Sequence, residues 1–306
     1  MSLEKWILPA LEKSLPVINQ PRLELFAAGP RSQRHDATTL DALLEGGARV
    51  MWVAAHPDDE SFAGAIFAKS SLRCGNPLHF VVMTRGEGGE CCLPCGLHED
   101  LGTIRAREFD RVAELYRATY ELGSYPNAGL PVDSFPYRHE IARNWAETED
   151  PTRWIARSIR RFCPDVVLTF APDYGSTGHP EHQLASRFAT SAIRMAALSN
   201  RSLPGSPHRV DHAYYVLNKY WFGRFAGTGN DLHPFTEAFS THQPCNAGLS
   251  CADVMAEHTR PHLTQATDMR MMRIISRVIH YLYVYRVDPF TEVKDPFEQH
   301  LVRGMG

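Results

Sequence analysis

The chain has 306 residues, 43% of them hydrophobic and 22% charged, an ordinary globular composition with material for one large domain or two modest ones and a well-buried core. Its formal net charge of −3 and pI of about 6.6 carry no excess of Lys and Arg, which argues against nucleic acid or an anionic membrane as partner. Seven cysteines, an odd number, fit free thiols in a reducing compartment better than a disulfide framework.

The opening residues, MSLEKWILPALEKSLPVINQ, lack a basic segment followed by an uninterrupted apolar one, so no secretory signal is read there. Residues 1–47 mix helix-forming stretches with Pro16, Pro21 and Pro30 and read as an N-terminal extension packed on the outside of the core. From Arg49 onward, short apolar, β-branched runs alternate with helical periodicity, the pattern of strands joined by crossover helices. Strands are expected at 50–55, 78–84, 166–170 and 213–217, each a nearly continuous apolar run suited to burial on both faces. Leu101, Ile104, Phe109, Val112, Ala113 and Tyr116 follow helical spacing, as do Ile155, Ile159 and Phe162. Residues 218–250, rich in Gly, His, Phe and Pro, read as a long loop region, and 251–286 as helical. The stretch IISRVIHYLYVYRV is interrupted by Arg277, His280 and Arg286 and is too short to span a bilayer. The expectation is a soluble, cytoplasmic protein with a Rossmann-like, mostly parallel sheet, helices on both faces, and N-terminal and C-terminal extensions. Residues 48–306 form its main domain, with core motifs in 48–217 and a C-terminal loop and helical region in 218–306.

Two short segments share one design. His56-Pro57-Asp58-Asp59-Glu60 follows the first expected strand, and Gly178-His179-Pro180-Glu181-His182 follows the third. Proline suits a first helical turn because its missing N–H would have no partner there, so both segments read as loops turning into helices at the carboxyl edge of the sheet, where open parallel sheets bind ligands. The gaps from His56 to Asp59 and from His179 to His182 are close to one helical turn, which lets each pair point the same way. Two imidazoles and one carboxylate, from His56, Asp59 and His182, leave Zn²⁺ an open position for water, as a catalytic site requires. Fe²⁺ is accepted by the same ligand types. Asp58 is then the general base toward the bound water. His179 is placed to donate a proton or stabilise the oxyanion of a cleaved amide, with Glu181 holding it protonated. An isolated HPDD or HPEH string is more often a structural turn, since its residues are common in turns and caps; two such strings after two expected strands are harder to dismiss.

AHPDDE at 55–60, TRGEGG at 84–89, Arg105-Ala-Arg-Glu108 and GHPEH at 178–182 together resemble the LmbE-like, or PIG-L, superfamily of zinc-dependent N-acetylglucosaminyl deacetylases. The resemblance covers roughly residues 48–217 and makes the main domain an LmbE-like catalytic domain. It implies the same roles for the same residues: His56, Asp59 and His182 on the metal, Asp58 as base, and His179 stabilising the transition state. It also implies that Glu87 and Arg105 contact the sugar or its substituent, for which a turn carboxylate and a surface ion pair are the plainer explanations. Asn127 stands where the family usually carries Asp; an amide can bind sugar hydroxyls but cannot pair with a cation.

The chain departs from the family elsewhere. Glu181 replaces the usual aspartate of HPDH. Thr177 occupies a position that is tyrosine in some relatives, with Tyr174 further back as a weak substitute. The segment Arg260-Pro-His262-Leu-Thr264-Gln265 resembles a family helix start of the form H-x-S/T-Q, and N-capping by Thr264 explains it almost as well. Cys91, Cys92 and Cys95, with His98 nearby, have no second CxxC to complete a structural zinc site and read as an ordinary loop. Tyr214, Tyr215, Tyr220 and Trp221 read as packing residues.

The resulting expectation is a metal-dependent hydrolase that removes an N-acetyl or other small acyl group from an amino sugar or glycoconjugate, with metal-bound water as nucleophile. An amidase of a larger thiol or antibiotic conjugate and a non-catalytic sugar-binding module are the alternatives. Nothing in the sequence sets the oligomeric state, so a homo-oligomer stays open.

Overall fold

The computed structural model describes residues 38–93, 99–129, 135–199, 202–219, 231 and 233–299. Its centre is a seven-stranded sheet in the order β3-β2-β1-β4-β5-β7-β6. The strands are β1 (Val50–Ala54), β2 (Leu78–Val82), β3 (Thr119–Leu122), β4 (Val166–Phe170), β5 (His212–Leu217), β6 (Glu237–Ser240) and β7 (Tyr281–Val287). The first five run parallel, while β7 is antiparallel to both β5 and β6. The mostly parallel sheet with flanking helices is the expected fold class.

Every residue of β1, β2 and β4 is buried, which explains their unbroken apolar runs. Alternation along β1 sends Val50, Trp52 and Ala54 into one core layer and Met51 and Val53 into the other. The first layer is covered by α2 (Gly64–Phe67), α3 (Leu101–Leu115), α8 (Cys251–His258) and α9 (Ala266–Val278), through Phe67, Phe109, Met255 and Met272. The second is covered by α4 (Arg138–Thr148), α5 (Pro151–Phe162) and α7 (Pro180–Ala197), through Trp145, Ile159 and Phe188. The remaining α-helices among the described residues are α1 (Leu40–Glu45) and the four-residue α6 (Gly175–Gly178), and α2 runs on into a π-helical turn at Ala68–Arg73. No helix among the described residues is long and apolar enough to cross a membrane.

Three elements differ from the sequence expectation. Residues 251–286 are not helical throughout: the chain ends α9 at Val278 and continues as β7, where aromatic and β-branched residues favour an extended strand over a helix. The long loop region contains β6. Strand β3 escapes notice because it is four residues long with no fully buried position. Of the N-terminal extension, residues 38–47 are described: Leu40 and Leu44 of α1 are fully buried in the core, and Leu40 N–H donates to Glu237 Oε2 at 2.6 Å. Residues 1–37, Cys95, His98, Tyr220 and Trp221 lie outside the described residues.

The order of strands positions the site. From β1 the chain lays β2 and β3 on one side, then returns to place β4 on the other, pairing Val50 with Val166 and Trp52 with Leu168. The strand order therefore reverses between β1 and β4, and the carboxyl ends of two strands that are distant in sequence open a crevice there.

Candidate metal centre and catalytic site

After β1, the Asp59 carboxylate folds back on its own loop, its Oδ2 accepting hydrogen bonds from Ala55 N at 2.9 Å and His56 N at 2.8 Å. The turn that follows is not the regular helix expected after Pro57 but a short 3-10 turn, Asp59–Phe62. Asp58 precedes it with φ of 129°, a conformation costly for a residue with a Cβ. That backbone is held by Glu60, whose Oε2 accepts from Asp58 N at 3.0 Å.

After β4, Pro180 opens α7 and His179 caps it, with His179 Nδ1 accepting from Glu181 N at 3.2 Å. His182 Nδ1–H donates to Gly175 O at 2.8 Å, which leaves Nε2 free. Gly175 has φ of +66°, and a Cβ there would stand 2.7 Å from His182 Cβ, so only glycine fits this approach.

The two segments converge. His56 Nδ1 lies 3.2 Å from His182 Nε2, and His182 Nε2 lies 3.0 Å from Asp59 Oδ1. His56, Asp59 and His182 each offer one donor atom, all within 4.8 Å of one another, and all three residues are buried. These separations are close to the roughly 3.3 Å between ligands that zinc bond lengths of about 2.0–2.1 Å impose on a tetrahedron. Each imidazole has its other nitrogen engaged: His182 on Gly175 O, and His56 through Nε2 on Glu181 Oε2 at 2.7 Å. A carboxylate or carbonyl behind each ring is the arrangement that fixes histidine for metal binding. Burial disfavours a charged His56, yet the Asp59 and Glu181 carboxylates outweigh it and raise the ring to about 10. Asp59 is also penalised by burial, and His182 and His56 draw it well below the usual carboxylate range. The cluster thus favours positive charge at its centre, and its donor set fits a divalent ion.

Glu181 is not the partner of His179 that the spacing had implied. Besides His56, its carboxylate accepts from Asn127 Nδ2 at 2.6 Å and Ala128 N at 2.8 Å. Burial, together with the charges of His56 and His182, pushes His179 well below its ordinary range. With Nδ1 accepting from Glu181 N, the neutral His179 carries its proton on Nε2.

Asp58 faces the same cavity. Its Oδ2 accepts from Arg105 Nη2 at 2.8 Å, and the same guanidinium reaches Pro57 O at 2.7 Å and Gly86 O at 3.0 Å. Burial raises Asp58 to about 6, against the lowering effect of Arg105. The Arg105-x-x-Glu108 helix makes a second contact: Glu108 accepts from Thr264 N at 2.9 Å and Thr264 Oγ1 at 2.6 Å. Thr264 is therefore held by Glu108 and is not the N-cap of α9, which is Gln265. In the same segment His262 Nε2 pairs with Glu60 Oε1 at 2.7 Å. Glu60 and His262 were not picked out as a pair by sequence reading, although both stand in motifs that drew notice.

The cavity, of about 750 Å³, is lined by His56, Asp58, Asp59, Arg105, Asn127, His179 and His182, and by Thr177, but Tyr174 does not reach it. Glu87 is absent from the lining as well; its Oε1 accepts from Asn127 N at 2.9 Å while Asn127 Oδ1 accepts from Gly88 N at 2.8 Å, so the two loops are stapled together. Cys91 and Cys92 are free thiols, and Tyr214 and Tyr215 are buried in the core.

Residues 51–193 match the family described as PIG-L: GlcNAc-PI de-N-acetylase. This segment is similar to that family. The chain is 32% identical over 184 residues to the 1D-myo-inositol 2-acetamido-2-deoxy-alpha-D-glucopyranoside deacetylase 2 of Catenulispora acidiphila, covering 56% of this chain and 59% of that protein. It is 28% identical over 179 residues to the mycothiol S-conjugate amidase of Streptomyces coelicolor, covering 56% of this chain and 60% of that one. The chain thus spans about three-fifths of the length of these curated relatives. Among solved structures, the 4-carboxy-2-hydroxymuconate hydratase of Pseudomonas putida KT2440 is similar with a TM-score of 0.52 and 17% identity, covering 81% of this chain and 98% of that chain. That likeness concerns the fold; the chemistry has to be argued from the residues of the site.

Proposed function

We propose that the protein is a metal-dependent hydrolase that removes an acetyl or comparable small acyl group from the nitrogen of an amino sugar or glycoconjugate. The observation that carries this reading is the convergence of His56, Asp59 and His182, three buried donors within 4.8 Å, at the strand-order reversal. His56, Asp59 and His182 would hold Zn²⁺, or Fe²⁺, with residues 48–306 as the catalytic domain and 1–47 as an extension upon it. A divalent ion in this position supplies Lewis-acid polarisation and makes water nucleophilic at neutral pH.

The chain's own groups do the rest. Asp58 Oδ2, aimed by Arg105, takes the proton from the attacking water and passes it toward the departing nitrogen. His179 presents its Nε2–H to the developing oxyanion, a stabilisation that needs a fixed donor in a place shielded from water. Glu181 keeps His56 aligned, and Asn127, beside it, offers an amide to the substrate. The cysteines described are all free, which supports a reducing, cytoplasmic location.

Metal analysis combined with an amine-release assay on N-acetylglucosamine derivatives tests the proposal. Chelation should abolish release; Asp58→Ala should keep metal and lose turnover, and His182→Ala should lose both. Full turnover in either variant would overturn it. The similarity to an S-conjugate amidase favours, as a second reading, cleavage of a larger conjugate at the same centre; a product screen separates the two.

A further inference from the structure

After β2 the chain runs through Gly86-Glu87-Gly88-Gly89, a turn closed by Gly89 N donating to Gly86 O at 3.1 Å. The Arg105 guanidinium, reaching over from α3, lies against this turn. A Cβ on Gly86 would stand 2.5 Å from Arg105 Cζ, and one on Gly89 would stand 2.7 Å from Arg105 Nη1. The two glycines differ in their backbones. Gly86 has a φ of +67°, which calls for glycine in its own right, whereas Gly89 has no left-handed conformation to explain it. At residue 89, then, space alone requires glycine, and the head of Arg105 fills that space.

The turn is the rigid partner in this contact. Gly86 N donates to Thr84 Oγ1 at 3.1 Å, Gly88 N to Asn127 Oδ1 at 2.8 Å, Gln265 Nε2 to Glu90 O at 2.5 Å and Cys92 N to Thr264 O at 2.8 Å. Arg105 Nε is buried with no hydrogen-bond partner among the described residues, a cost that marks the guanidinium as held in place by its surroundings. Its other nitrogens donate to Gly86 O, Pro57 O and Asp58 Oδ2. We infer that Gly89 is a positioning residue for the hydrolysis: lacking a side chain, it seats Arg105 against the turn, and Arg105 in turn holds the Asp58 carboxylate beside the His56–Asp59–His182 cluster. This rests on the hydrolase reading above and adds to it the residue that fixes where the proposed base stands. A methyl group at residue 89 comes roughly 0.7 Å too close to Nη1 for ordinary contact. The flexible guanidinium retreats, Asp58 loses its partner, and the fold stays intact.

Kinetics and crystallography on four full-length chains test this: the parent, Gly89→Ala, Arg105→Lys and the double variant. For amine release from N-acetylglucosamine derivatives, Gly89→Ala should lower kcat roughly 10- to 100-fold. Its KM should stay within about twofold of the parent, with metal content by elemental analysis unchanged. In the Arg105→Lys background, where no guanidinium fills the space, adding Gly89→Ala should cost no more than about twofold. The structure of Gly89→Ala should show the guanidinium out of hydrogen-bonding reach of Asp58. A guanidinium still bonded to Asp58 would overturn the inference, as would an unchanged kcat, equal losses in both backgrounds, or a Gly89→Ala chain that does not fold. A parent that releases no amine removes the hydrolase reading instead, and the structure of Gly89→Ala then decides by itself whether Gly89 governs the place of Asp58.

Discussion

Glu181 Oε2 lies 2.7 Å from His56 Nε2, so the segment after β4 aims the imidazole that follows β1. The two strand-end segments are therefore coupled twice, once through the converging donors and once through this pair behind them. Removing the carboxylate while leaving every proposed ligand in place should expose the second coupling. Glu181→Ala is expected to weaken metal binding about 10- to 100-fold, read by competition with a chromogenic chelator, with Glu181→Gln closer to the parent because the amide can still accept from Asn127 and Ala128.

Gly175→Ala should strike the same centre by crowding. Its φ of +66° and the 2.7 Å approach to His182 Cβ make alanine strained twice over, at about 1–3 kcal/mol for the backbone conformation. The variant is expected to melt lower and to carry less metal after purification, as measured by calorimetry and elemental analysis.

His262 and Glu60 form a buried pair, with side chains 0% and 2% exposed. Breaking it leaves a carboxylate beneath the Asp58 turn without its imidazole, a change that typically costs about 3–5 kcal/mol. His262→Ala should lower the urea midpoint accordingly and, by loosening Asp58 N, lower kcat more than it raises KM.

An acid-sensitive interaction lies at the far end of the sheet. Burial would raise Glu121, but hydrogen bonds with His79 at 3.1 Å, Ser158 at 2.5 Å and Arg161 at 2.5 Å outweigh it and hold the carboxyl at about 2. The unfolded chain takes up this proton from about pH 4.5 downward and the folded chain only near 2, so the unfolded state binds more protons in between and stability falls as the pH drops. Unfolding followed between pH 5 and pH 2 should show a steeper acid loss in the parent than in Glu121→Gln.

Strand β4 was legible to the residue because Val166–Phe170 is an unbroken apolar run, buried throughout. The meeting of His56 and Asp59 with His182 was legible because each segment follows a recognisable strand. The partner of Glu181 was not: spacing within GHPEH reports neighbours along the chain, whereas the group across the crevice depends on which strands lie side by side. Strand β7 was hidden because Tyr281–Val287 continues the apolar run of the preceding helix, and length alone does not separate the two.

The contacts of Thr264 with Glu108 and of His262 with Glu60 bear on how the protein can be shortened. A fragment ending at residue 193, where the family match stops, would strip both acids of their partners and remove β5, leaving β4 as a bare strand edge ready to recruit other chains into aggregates. The smallest piece that keeps the sheet paired runs on through Val287.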